Sequence, residues 1–170
     1  MRMISLISII FAALPAQDYP ARAKEGMCVI DEGVAQLSAT GVVDHDKSVE
    51  RCRLRYRWTE AETLAADNLA QAALDWHRTS TAAARAGVNE TVLENIYNSL
   101  TRTEALSFGW YGKDTLPDLD PVLDRIEKLL QPSVSNRDQL ILARNAVVAK
   151  AVMDNSAETF SVIRGRRNWE

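Results

Sequence analysis

The sequence predicts an all-α protein, an antiparallel bundle of five to six helices with one disulfide near its N-terminus. Three observations carry that prediction. Apolar residues recur at alternating steps of three and four along most of the chain. Helix start and stop signals punctuate those runs at short intervals. Strict two-residue alternation, the mark of a half-buried strand, occurs only in residues 51–58. At 170 residues the chain suits one domain with room for a real core, and its 7 glycines and 5 prolines are too few for a low-complexity chain.

The first element is a leader. Met1-Arg2-Met3 is a short positive region, Ile4 to Leu14 is an unbroken apolar run, and Pro15 breaks it. This is the layout of a signal peptide over residues 1–23, and the run is short for a bilayer span. Two cleavage positions compete, after Ala16 or after Ala23, the latter fitting the small-x-small rule in Ala21-Arg22-Ala23. The rival readings are an uncleaved anchor or a buried N-terminal helix. Met27 precedes Cys28 where a lipoprotein signal needs a small residue. Residues 24–170 then form a single helical domain, periplasmic or secreted, with no membrane insertion after cleavage.

Cys28 and Cys52 are the two cysteines, and both lie in that domain. In an oxidising compartment an even pair reads as one disulfide, closing a loop worth roughly 3 to 4 kcal/mol. The alternative is two buried thiols.

From Glu25 to about Ser38, Met27, Ile30, Val34 and Leu37 recur at helical spacing, and Gly41 ends the run. A polar turn at Asp44-His45-Asp46-Lys47 follows. Arg51, Arg53, Arg55 and Arg57 then alternate with Cys52, Leu54, Tyr56 and Trp58. As a strand this segment sets four arginines in a row; as a helix it buries Val49, Cys52 and Tyr56. The want of a partner strand favours the helix.

The longest helix runs from Thr59 to Gly87. Thr59 and Glu62 form a capping box, and Gly87 supplies the left-handed stop. Between them Ala65, Leu69, Ala72, Trp76, Thr79, Ala83 and Ala86 make a seam of mostly small residues against which neighbours pack closely. Asn89 caps the next segment, whose stripe is Val92, Ile96, Leu100 and Thr103 beside Leu93 and Tyr97. Phe108, Trp110 and Tyr111 stand in an aromatic patch between or beside glycines. Asp120-Pro121 opens a helix with Val122, Leu123, Ile126, Leu129 and Leu130 on its apolar face. Ser135 or Asn136 starts the last long helix, where Leu140, Val147 and Ala151 flank Ile141, Val148 and Val152, with an interruption at Asn155-Ser156.

Chemistry is sparse. The two histidines, His45 and His77, lack metal-ligand spacing, and no metal or cofactor is expected. Asp75 cannot orient His77 from two positions along a helix, so that pair reads as surface flanking Trp76. Asp114, Asp118, Asp120 and Asp124 lack the ligand spacing of a calcium loop. No nucleophile motif is present. A formal charge of −3 gives no case for nucleic acid.

Two candidate surfaces remain. Arg51, Arg53, Arg55 and Arg57 could grip a small anion in bidentate fashion, or form a solvated face paired with acids. Phe108, Trp110 and Tyr111 could anchor a protein partner, or plug the end of the bundle. The expectation is an exported helical binding protein whose partner is another envelope protein, in the format of an inhibitor or immunity protein. The alternative is a secreted helical enzyme or anion binder using the arginine cluster.

Overall fold

The computed structural model describes residues 21–99 and 136–166, with Lys128 standing alone. Among the described residues there are six helices and no strand. They are α1 (Ala21–Gly26), α2 (Cys28–Thr40), α3 (His45–Tyr56), α4 (Glu60–Arg85), α5 (Glu90–Ser99) and α6 (Arg137–Arg166).

The single helix expected from Glu25 is in fact two, parted at Met27. Met27 takes the N-cap place of α2 with no side-chain cap, because a thioether offers the free amides no good acceptor. Gly41, at φ 72°, closes α2 in the left-handed conformation. The turn that follows is tied by Gln36: its Oε1 accepts from the Asp44 amide at 2.8 Å, and its Nε2 donates to Ser48 Oγ at 3.0 Å. Asp44 Oδ1 caps α3 through the Lys47 amide at 3.0 Å.

The arginine segment is helical through Tyr56, so the row of guanidiniums that a strand would give does not form. Val42 and Val43 lie exposed in the loop before α3. Arg57 ends α3 at φ 52°, an uncommon left-handed position for a residue with a side chain. Cys28 and Cys52 are bonded, stapling α2 to α3, and both are buried.

α4 carries both ends that its sequence announces. Thr59 Oγ1 accepts from the Glu62 amide at 3.2 Å while Glu62 Oε2 accepts from the Thr59 amide at 2.7 Å. Gly87 stands at φ 94°. Of the expected seam, Ala65, Leu69, Ala72, Trp76 and Ala83 are buried, whereas Thr79 and Ala86 are half-buried.

α6 is the partner of α4 and lies antiparallel to it. Glu62 near the start of α4 meets Arg164 near the end of α6, and the Ala86 carbonyl accepts from Gln139 at the start of α6. Alanines on both helices, among them Ala66, Ala70 and Ala73 of α4 and Ala143, Ala146 and Ala157 of α6, belong to the buried core. Such small side chains permit close helix approach, consistent with the central role read for α4.

The interruption expected at Asn155-Ser156 is absent, and α6 runs through it. Ser156 Oγ donates to the Val152 carbonyl and Thr159 Oγ1 to the Asn155 carbonyl, each at 2.8 Å. These polar side chains attach to their own helix instead of competing with it. Leu93 and Ile96 of α5 are buried, while Leu100, Thr103 and the helix expected from Asp120 lie outside the described residues.

Candidate functional site

The arginines come first because the sequence points to them. A two-residue step rotates the direction by about 200° on a helix, so alternate residues splay. Arg51 and Arg55, one turn apart, converge on Glu32 of α2: Arg51 Nη1 lies 3.3 Å from Glu32 Oε2, and Arg55 Nη2 donates to Oε1. Burial pushes the Glu32 carboxyl up, yet hydrogen bonds and charge from Arg55 and Arg51 hold it below its ordinary value. Arg53 points elsewhere and takes Glu50 in a bidentate grip, both contacts at 2.7 Å. Arg57 sits past the helix end. The four are not gathered in one pocket, and three already hold carboxylates of this chain.

Phe108, Trp110 and Tyr111 lie outside the described residues. Asp75 and His77 do not form a pair: Asp75 sits 3.6 Å from Arg78 on an exposed stretch, with Trp76 buried between its neighbours.

Three arrangements were not legible in the sequence. Arg164, near the end of α6, ties three other segments together. It donates through Nε to Glu25 of α1 at 2.9 Å, through Nη1 to Glu62 of α4 at 3.1 Å, and through Nη2 to the Tyr56 carbonyl at 3.2 Å. Burial pulls the guanidinium down, but Glu62 and Glu25 leave it above its ordinary value. Beside this junction Trp58 stacks on Tyr56 and meets Phe160 edge-on, with centroids 5.7 and 5.6 Å apart.

The second is a buried ammonium. Lys150 is 6% exposed and lies 4.8 Å from the Tyr97 ring centroid and 5.8 Å from that of Trp76. Its Nζ is 3.4 Å from Asp154 Oδ2, which also accepts from the Tyr97 hydroxyl at 2.7 Å. Ring faces and a carboxylate together replace the water that a buried cation loses.

The third is a groove of about 540 Å³ between α4 and α6. Ala65 and Ala72, both buried, line it from α4, and exposed Leu64 stands beside them. Val152 and Ile163 line it from α6. Asn68, Gln71, Asn155, Ser156 and Thr159 add polar groups, and Asp75 is the charged residue among the described residues that line it. Ser156 and Thr159 donate their hydroxyl protons to carbonyls within α6. The α4 residues lining it run from Ala61 to Asp75, about 21 Å of helix at 1.5 Å per residue.

Among the described residues no cluster of three metal-ligating side chains occurs, and no helix is long and apolar enough to cross a membrane. No family model matches the chain, and comparison with curated proteins and with solved structures gives no match either.

Proposed function

We propose that this is an exported, periplasmic helical binding protein, and that it receives a helix of another envelope protein along the groove between α4 and α6. The observation that carries the reading is the groove itself. It is long and open, with small residues at its base and neutral polar groups along its sides, the form in which an amphipathic helix is received. Asp75, the charged residue among the described lining and 3.6 Å from Arg78, favours an occupant that brings a basic residue to it. The Cys28–Cys52 disulfide supports an oxidising compartment. Inhibitors and immunity proteins of the envelope offer the nearest functional analogy, at the level of format alone.

The anion-binding alternative is weaker because an incoming anion would have to displace Glu32 and Glu50 from Arg51, Arg53 and Arg55. The two readings part in one experiment. The processed chain captures partners from envelope extract alongside two variants, Leu64→Asp/Val152→Asp and Arg53→Ala/Arg55→Ala. The groove reading expects a stoichiometric protein lost only with the first variant. An anionic metabolite that raises the melting temperature of the wild type alone, with no protein retained, would establish the arginine site instead.

A further inference from the structure

The groove between α4 and α6 changes character along its length. Two contacts fix how the helices run past each other: Glu62 with Arg164 at one end, and the Ala86 carbonyl with Gln139 at the other. Between them the antiparallel course sets the level of each lining residue. Leu64 of α4, with Ala61 and Ala65 beside it, comes level with Ile163 of α6, and Ala72 comes level with Val152. The lining between these apolar levels is polar, with Asn68 and Gln71 from α4 and Asn155, Ser156 and Thr159 from α6. Leu64 and Ala72 stand about 12 Å apart along the helix at 1.5 Å per residue. Asp75 lies past the second apolar level.

We propose that this banding selects the occupant: a helix with two apolar residues one heptad apart, an asparagine or glutamine between them, and a basic residue one turn beyond the second. This deepens the reading of the groove as a helix receptor and rests on it.

Two residues one heptad apart on a helix face are separated by about 10 Å, close to the spacing of the two apolar levels. Asn68 and Gln71 are exposed in the free protein, so a bound helix takes them out of water. A leucine laid over them leaves their amides without partners, whereas an amide supplies both donors and an acceptor. A polar residue within an apolar helix seam sets register in this way, at a cost in affinity. Asp75, 3.6 Å from Arg78, adds a carboxylate at one end of the groove only. Cations are favoured at helix C-termini, so the basic residue belongs near the occupant's C-terminal end and the occupant runs parallel to α4.

The test uses two labelled synthetic peptides of about 16 residues, a length that covers the groove, with alanine, glutamate and lysine elsewhere to keep them helical. The first has leucine at its fourth and eleventh positions, glutamine at its eighth and lysine at its fifteenth. The second differs only in leucine at the eighth. Fluorescence anisotropy reads their binding to the processed chain, to Asn68→Leu/Asn155→Leu and to Leu64→Asp/Val152→Asp. The wild type is expected to bind the glutamine peptide about tenfold more tightly than the leucine peptide. Asn68→Leu/Asn155→Leu is expected to reverse that order, and Leu64→Asp/Val152→Asp to bind neither. A wild type that binds the leucine peptide as tightly or more tightly, with both lost in Leu64→Asp/Val152→Asp, overturns the proposal and leaves the groove reading standing. Binding that survives Leu64→Asp/Val152→Asp also overturns it, since the peptides then sit elsewhere. Binding of neither peptide overturns it as well, and the groove reading is then judged by capture of an envelope protein alone. The comparison of the two peptides on the wild type answers even where a variant folds poorly.

Discussion

Arg164 Nη1 lies 3.1 Å from Glu62 Oε1, joining residues 102 positions apart in the chain. The second oxygen of Glu62 accepts from the Thr59 amide, so one carboxylate both opens α4 and receives the end of α6. Glu62 is 1% exposed, which makes the pair a buried one whose partners depend on each other.

Removing one partner strands the other. Arg164→Met leaves Glu62 buried without its cation and is expected to cost about 3 kcal/mol in urea denaturation. Glu62→Met/Arg164→Met, which buries no charge, is expected to be more stable than Arg164→Met alone despite losing its half of the capping box. Glu62→Met completes the cycle, and a double variant whose cost equals the sum of the two single costs would show that the pair is not coupled.

Acid acts on the same carboxylate. Burial raises Glu62, but the Thr59 amide and Arg164 hold it below the ordinary value of 4.5. Glu32 is likewise held low, by Arg55 and Arg51 against its burial. A depressed carboxyl contributes stability that is fully present above its unfolded value and is lost as pH falls through the folded one. The melting temperature should therefore drop as pH falls below about 4.5. In Arg164→Met that drop should be shallower, a comparison that differential scanning fluorimetry across pH makes directly.

The Cys28–Cys52 bond spans 24 positions and ties α2 to α3. Cys28→Ser/Cys52→Ser should lower stability by about 3 kcal/mol, mainly by freeing the unfolded chain. Urea unfolding of the wild type with and without reductant should reproduce the difference.

Asp154 is the counter-charge to buried Lys150. Asp154→Ala should cost about 3 kcal/mol, and Lys150→Met/Asp154→Ala should recover part of it by removing the stranded ammonium. Chemical denaturation of the two variants reads the coupling, and a double variant no better than the single one would contradict it.

The elements written in local signals were legible in the sequence. The Thr59–Glu62 box, the stops at Gly41 and Gly87 and the Asn89 cap all stand where local chemistry puts them. The disulfide followed from counting two cysteines in a chain with a leader-like start. The break at Met27 was hidden because α2 begins without a capping side chain. Continuity through Asn155-Ser156 was hidden because the same polar residues break a helix or serve it, depending on where their hydroxyls and amides turn. The groove and the Arg164 junction were out of reach for a different reason. Both depend on α4 and α6 meeting antiparallel across most of the chain, and no spacing in either helix alone encodes that meeting. The arginine alternation was conspicuous in one dimension, but the helix splays it and Glu32 and Glu50 occupy it.

The most direct test of the groove is site-specific photo-crosslinking in cells of the source organism. A photoreactive residue replaces Leu64 or Val152 on the groove, or Leu54 on α3 as the control; all three are exposed. The account predicts that positions 64 and 152 capture one and the same envelope protein, through a helical segment of it, and that position 54 does not. Capture of that protein equally well from position 54, or no capture from either groove position, would contradict it.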